Sequence, residues 1–147
     1  MTEITLNQLF GVGDITHLGV VGSREWPNRQ FVFDRVDALR EEYPMINTIV
    51  SGGQPKGVDG WAKSYALMND LGYIEHIPAH WYPEDDERYE PYGVNNYFDR
   101  NTLIARDSHV LAAFCYQGSD GTMDTYKKAQ ARIGRRAYLY TEEDLRG

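Results

Sequence analysis

The apolar positions of this chain fall into short runs separated by longer periodic stretches. His17 to Val21 has an apolar centre, Leu18-Gly19-Val20-Val21, closed by Gly22 and Ser23, and reads as a buried strand. Past Pro27, the positions Phe31, Phe33, Val36 and Leu39 recur at mostly helical spacing, which predicts a helix over about 29–43 stopped by Pro44. Asn47 to Ser51 is a second, β-branched strand ended by Gly52-Gly53. Val58, Trp61, Ala62, Tyr65, Ala66 and Met68 mark a second helix closed at Gly72, and Tyr73 to Pro78 a third strand. Residues 80–95 break the pattern with two prolines, the acidic run Glu84–Glu87, Glu90 and several aromatics, as a long loop does. Asn96 to Arg106 then reads as a helix, Val110 to Phe114 as the most apolar strand, about 122–133 as a last helix ended by Gly134, and Ala137 to Tyr140 as a fifth strand. Ahead of all this, Leu6, Leu9 and Phe10 allow only a short amphipathic turn before Gly11 and Gly13.

Strands alternating with helices predict an α/β, Rossmann-like doubly wound parallel sheet of about five strands, with helices on both faces. Strands without strict alternation fit burial on both sides, and right-handed crossovers give the order 3-2-1-4-5. The chain is expected to form one domain over 1–147, with its core at about 17–140.

Composition narrows the class. The chain has 147 residues, of which 41% are hydrophobic, with 11 Tyr and 3 Trp, enough to bury a core. No apolar run is long enough to span a membrane, and the start MTEITLNQLF lacks the basic segment of a secretory signal. One cysteine, Cys115, makes neither an internal disulfide nor a multi-thiolate site and reads as core, which fits a reducing, cytoplasmic setting. Fifteen Lys and Arg against 22 Asp and Glu leave a net charge of −7. That argues against duplex nucleic acid as a partner but leaves room for a small anion in a locally positive pocket.

The candidate chemistry lies in three glycine turns, each directly after a strand: Gly22-Ser23-Arg24, Ser51-Gly52-Gly53, and Gly118-Ser119-Asp120-Gly121-Thr122. In a doubly wound sheet these turns converge at the carboxyl ends of the strands, where the strand order switches. Glycine lets the backbone approach a ligand, helix N-termini offer N–H groups to anions, and Ser23, Ser51, Ser119 and Thr122 add hydroxyls. Together they describe a phosphate cradle. Neither the dinucleotide fingerprint nor the Walker lysine motif is present, so no nicotinamide or triphosphatase cofactor chemistry is expected. His76 and His80 are four apart, but Pro78 breaks the geometry that would set both on a metal, and the run Glu84–Glu87 reads as solvated rather than magnesium-binding. No metal is assigned.

The motifs Val21-Gly22-Ser23-Arg24-Glu25-Trp26, Val50-Ser51-Gly52-Gly53 with Gly57-Val58-Asp59-Gly60-Trp61-Ala62, Pro78-Ala79-His80-Trp81, Arg100-Asn101 and Gly118-Ser119-Asp120-Gly121-Thr122 resemble the SLOG superfamily, in its YspA-like, YpsA-related branch common in phages and bacteria. The resemblance spans about residues 17–140. It implies a Rossmann-like nucleotide-binding domain, with the host cytoplasm as its location if the chain is phage-encoded, and a homo-oligomer by analogy. Relatives in the wider superfamily include the LOG-type phosphoribohydrolases, whose pattern Pro-Gly-Gly-x-Gly-Thr-x-x-Glu ends on a glutamate implicated in breaking the N-glycosidic bond. Aligned on Gly121-Thr122, this chain has Thr125 there, and Asp120 and Asp124 are the nearby carboxylates that could replace it.

The resemblance directs Arg100, with Asn101 beside it, at a ligand phosphate, and Arg24 lies just past the first strand. Asp59 fits either ribose hydroxyls or a helix N-cap. Trp26 and Trp81 are candidates for stacking on a base. The first expectation is a small phosphorylated nucleotide ligand held by Gly22, Ser23, Arg24, Ser51, Gly52, Gly53, Asp59, Arg100, Asn101, Gly118, Ser119, Gly121 and Thr122. A nucleotide N-glycosidase is the alternative, and a protein-interaction or single-stranded nucleic-acid module the second alternative.

Overall fold

All six positions of the strand Val110–Cys115 are buried, which puts it in the middle of a sheet covered on both faces. A computed structural model of the protein describes residues 14–146, so the turn expected around Leu6, Leu9 and Phe10 lies outside the described residues. The strands are β1 (His17–Gly22), β2 (Thr48–Ser51), β3 (Gly72–Glu75), β4 (Val110–Cys115) and β5 (Ala137–Thr141). They form one five-stranded sheet in the order β3-β2-β1-β4-β5. Every pairing is parallel, with Leu18 opposite Ile49 on one side of β1 and opposite Val110 on the other. Helices α1 (Arg29–Glu42), α2 (Val58–Met68), α3 (Asn95–Asp107) and α4 (Asp120–Ile133) make the crossovers.

Period-two alternation divides the core. Leu18, Val20, Ile49, Val110, Ala112 and Phe114 face α1 and α2, whose Val32, Val36, Leu39, Ala62 and Tyr65 pack on them. Val21, Val50, Leu111 and Ala113 face the other way, onto Ile104 and Ala105 of α3 and Ala129 and Ile133 of α4. The chain thus winds outward from β1 through α1 and α2, then returns over the opposite face through α3. That return is what creates a switch in strand order between β1 and β4.

Three boundaries differ from the expectation. The third strand stops at Glu75 instead of running to Pro78, because its sole neighbour β2 is four residues long and Pro78 has no N–H for a ladder. The second helix ends at Met68 and the chain reverses at Asp70, which takes φ +54, so Gly72 opens β3 rather than closing the helix. The last helix begins at Asp120, two residues earlier than expected, which brings Gly121 and Thr122 into its first turn. Asn28 caps α1 as its side chain accepts the Phe31 N–H at 2.9 Å. Within 80–95, residues Ala79–Trp81 form a 3-10 turn that carries Trp81 back toward the sheet, and Asp86 pairs with Arg88 at 2.7 Å.

Candidate functional site

At the carboxyl ends of β1 and β4, the outgoing chains part to opposite faces of the sheet and leave a crevice of about 390 Å³. Gly22, Ser23 and Arg24 line it from β1, Gln54 and Asp59 from the turn after β2, and Trp81 from the 3-10 turn. Tyr97, Arg100, Asn101 and Ile104 line it from α3, and Ser119, Gly121, Thr122 and Thr125 from the start of α4. The turns after β1 and β4 therefore meet in one place, joined there by α3, whereas of the turn after β2 it is Gln54, not Ser51, Gly52 or Gly53, that reaches the lining.

The lining has two chemically different sides. On the α4 side, Ser119 is the N-cap residue but its hydroxyl bonds the Thr122 hydroxyl at 3.1 Å instead of the helix backbone. The early N–H groups of a helix have no intrahelical partner, so they and the two hydroxyls favour an anion. Gly121 adds space: a Cβ placed there would meet no heavy atom within 4 Å. Thr125 is buried at the crevice floor and donates to the Gly121 carbonyl at 3.1 Å.

On the β2 side sits Asp59, in the first turn of α2 and 94% buried at a relative exposure of 6%. Gly57, not Asp59, is the N-cap, so the capping role expected as one option falls to a residue without a side chain. Asp59 Oδ2 accepts the Gln54 N–H at 3.3 Å, whereas Oδ1 is buried with no hydrogen-bond partner among the described residues. Burial pushes this carboxyl up from 3.8 to about 6, against the opposing pull of the Arg100 guanidinium and the Gln54 N–H.

Arg100 is no surface arginine. Its Nη1 donates to the carbonyl of Gly52 and, at 3.4 Å, to that of His76, and its Nε donates to Asn101 Oδ1 at 3.0 Å. Burial lowers its pKa while Asp59 and Tyr97 hold it up, so it remains a cation. Asn101 is buried and its Nδ2 reaches Asp124 Oδ2 at 3.2 Å and the Gly121 carbonyl at 3.4 Å, tying α3 to the start of α4. Asn101 thereby sets the distance between Arg100 and the α4 N-terminus.

Several expected residues stand elsewhere. The Ser51 hydroxyl is fully buried and donates to the Val20 carbonyl at 2.6 Å, so it locks β2 to β1. Gly53 takes φ +75, and a Cβ on it would sit 2.5 Å from Ile77 Cγ2, so its glycine serves the turn and the approach of the Glu75–Ile77 segment. Gly118, at φ +70, turns the chain outside the crevice lining. Asp120 is exposed and away from the lining, and Asp124 is held by Asn101 and by Lys128 at 2.9 Å. Trp26 does not offer its ring to a ligand: it is 2% exposed, packs on Phe31, Phe114 and Tyr116, and donates its indole N–H to the Asn28 carbonyl. Trp81 is partly exposed and forms an aromatic edge with Tyr97 and His80 beside the crevice. His76 and His80 separate, to Asp107 at 2.6 Å and to Asn96 at 3.1 Å.

Sequence reasoning missed Gln54 and Tyr97. Gln54 follows the Gly52-Gly53 pair, but its place in the lining could not be read from residue type. Tyr97 is one helical turn before Arg100, and that i, i+3 spacing was a usable signal: the Arg100 guanidinium lies 5.9 Å from the ring centroid.

An all-parallel 3-2-1-4-5 sheet with a polar crevice at its switch point is a Rossmann-like α/β fold. Within that class, residues 18–81 match the model of the YAcAr family, described as the YspA, cpYpsA-related SLOG family. The resemblance seen in the motifs holds over this stretch, which carries β1 through Trp81; Arg100, Asn101 and the α4 turn lie beyond it. No curated protein and no solved structure matches the chain. No helix of the described residues is long and apolar enough to cross a membrane.

Proposed function

We propose that the crevice binds a phosphorylated nucleoside or nucleotide derivative and that the protein acts as a sensor or sequestering module for it. The observation that carries this reading is Gly121. It leaves open space at the first turn of α4, beside two hydroxyls and helix N–H groups suited to a phosphate. Arg100 supplies the half-buried counter-charge, with Arg24 exposed at the mouth. Trp81 and Tyr97 offer rings at the rim for a base. The family match over residues 18–81 supports a nucleotide-related ligand.

One observation favours a second reading, cleavage of a nucleotide N-glycosidic bond. Asp59 places a carboxyl on the crevice wall although Thr125 offers none. A cationic sugar in the transition state gains from such a group.

The first reading is tested by thermal unfolding against mono-, di- and cyclic nucleotides, NAD and ADP-ribose. A ligand at 100 times its Kd adds about 2.7 kcal/mol, a Tm rise of about 5–10 °C for a chain of this size. At least one phosphorylated compound is expected to give such a shift. No shift from any of them at millimolar concentration overturns the proposal.

A further inference from the structure

Asp59 is the buried group that the fold itself leaves unfinished. Its Oδ1 has no donor among the described residues, yet the side chain lies on the wall of the crevice. Desolvating a carboxylate oxygen without a hydrogen bond is unfavourable, and a ligand that brings O–H or N–H donors to it removes the penalty. Of the side-chain donors beside Asp59, the Ser51 hydroxyl goes to the Val20 carbonyl and Arg100 Nη1 to the Gly52 carbonyl.

A nucleotide has three parts, and Asp59 discriminates among them. A phosphate is repelled by a carboxylate and is drawn instead to the α4 N-terminus and its hydroxyls. A base finds its flat partners at Trp81 and Tyr97. The sugar diol is uncharged, rich in donors and joined to both other parts. A carboxylate accepting from hydroxyls gains charge-assisted bonds that are strong in a site of low dielectric.

We propose that Asp59 reads the ribose hydroxyls, so that the crevice selects ribonucleotides over 2′-deoxy and 3′-deoxy nucleotides. This rests on the nucleotide-binding reading above. Both hydroxyls of the diol donate, and Oδ1 is the acceptor they complete. The same group also disfavours inorganic phosphate and other compact anions, whose negative charge a carboxylate repels.

The experiment is calorimetric titration of the full chain with AMP, GMP, CMP, UMP and ADP-ribose, and with the 2′-deoxy and 3′-deoxy forms of whichever monophosphates bind. Loss of one charge-assisted bond weakens binding about 10- to 150-fold, which is the discrimination expected between ribo and deoxy forms. In Asp59→Asn, checked as folded by circular dichroism, that discrimination is expected to collapse to within about 3-fold, because both forms then lack the charged acceptor. Equal affinity of ribo and deoxy ligands for the unaltered protein overturns the inference while leaving the binding site standing, and needs no variant. Undiminished ribo preference in folded Asp59→Asn also overturns it, since another group must then read the sugar. Failure of every nucleotide to bind the unaltered protein overturns the inference together with the reading on which it rests.

Discussion

Asp59 and Arg100 come from helices on opposite faces of the sheet and meet on either side of Gly52. A Cβ at Gly52 would stand 2.7 Å from Asp59 Oδ2 and 2.7 Å from Arg100 Nη1. The absent side chain is what allows a buried carboxylate and a half-buried guanidinium to share one strand end. Their attraction partly offsets the desolvation of both. Gly52→Ala forces these groups apart and is expected to destabilise the protein by about 1–3 kcal/mol and to lower nucleotide affinity, measured by urea denaturation and titration.

Asp59 makes the fold pH-sensitive in a direction opposite to an ordinary ion-paired carboxylate. Its folded pKa, about 6, lies above the ordinary 3.8, so the folded state binds the extra proton between these values. The Asp59 contribution to stability is therefore complete below about pH 4 and is lost as pH rises through about 6. The size is on the order of 3 kcal/mol, at about 1.4 kcal/mol per pH unit. Asp59→Asn is expected to flatten that slope and to leave the ligand-free protein more stable than the original at pH 8, while weakening ligand binding. Denaturant midpoints at pH 4, 6 and 8 measure it; identical pH profiles for the two proteins would remove Asp59 from this role.

Arg100→Ala should do more than weaken a ligand. It removes the donor to the Gly52 carbonyl and the cation facing Asp59. Stability is expected to fall by about 1–3 kcal/mol, and affinity for a phosphorylated ligand to fall about 10- to 150-fold. Full affinity in a folded Arg100→Ala protein would make Arg100 a purely structural cation.

Gly53 and Gly121 should behave as opposites. Gly53→Val strains a backbone at φ +75 and collides with Ile77, costing at least about 1–2 kcal/mol of stability. Gly121→Val enters open space, so folding should change by no more than about 1 kcal/mol while the crevice fills and binding is lost. Tight binding by Gly121→Val would place the ligand elsewhere.

Thr125 carries no charge, and little or no base release is expected from nucleoside 5′-monophosphates or NAD, followed by chromatography. Rapid turnover that vanishes in Asp59→Asn would establish the glycosidase reading with Asp59 as its carboxyl. Rapid turnover that survives in Asp59→Asn but vanishes in Asp120→Asn or Asp124→Asn would shift the role to that residue.

The sheet order and both helical faces were legible in the sequence because they rest on local signals. Apolar runs of four to six residues, periodic stretches between them and glycine at the exits from β1 and β2 specify a doubly wound sheet almost uniquely once right-handed crossovers are imposed. That the turns after β1 and β4 line one crevice followed from that topology. The sequence did not determine what each polar or aromatic side chain would touch. Trp26 and Trp81 are chemically alike, but the chain after β1 folds Trp26 onto Phe114, far away in sequence, while the 3-10 turn holds Trp81 at the crevice rim. Ser51 is taken by a carbonyl 31 residues away and Arg100 by one 48 away. Asp59 became a buried, half-partnered carboxyl only because α2 and α3 approach the end of β2 from both sides. Hydrogen bonds and desolvation depend on which groups come within about 3 Å, and for residues distant in the chain that is decided by packing rather than by local propensity.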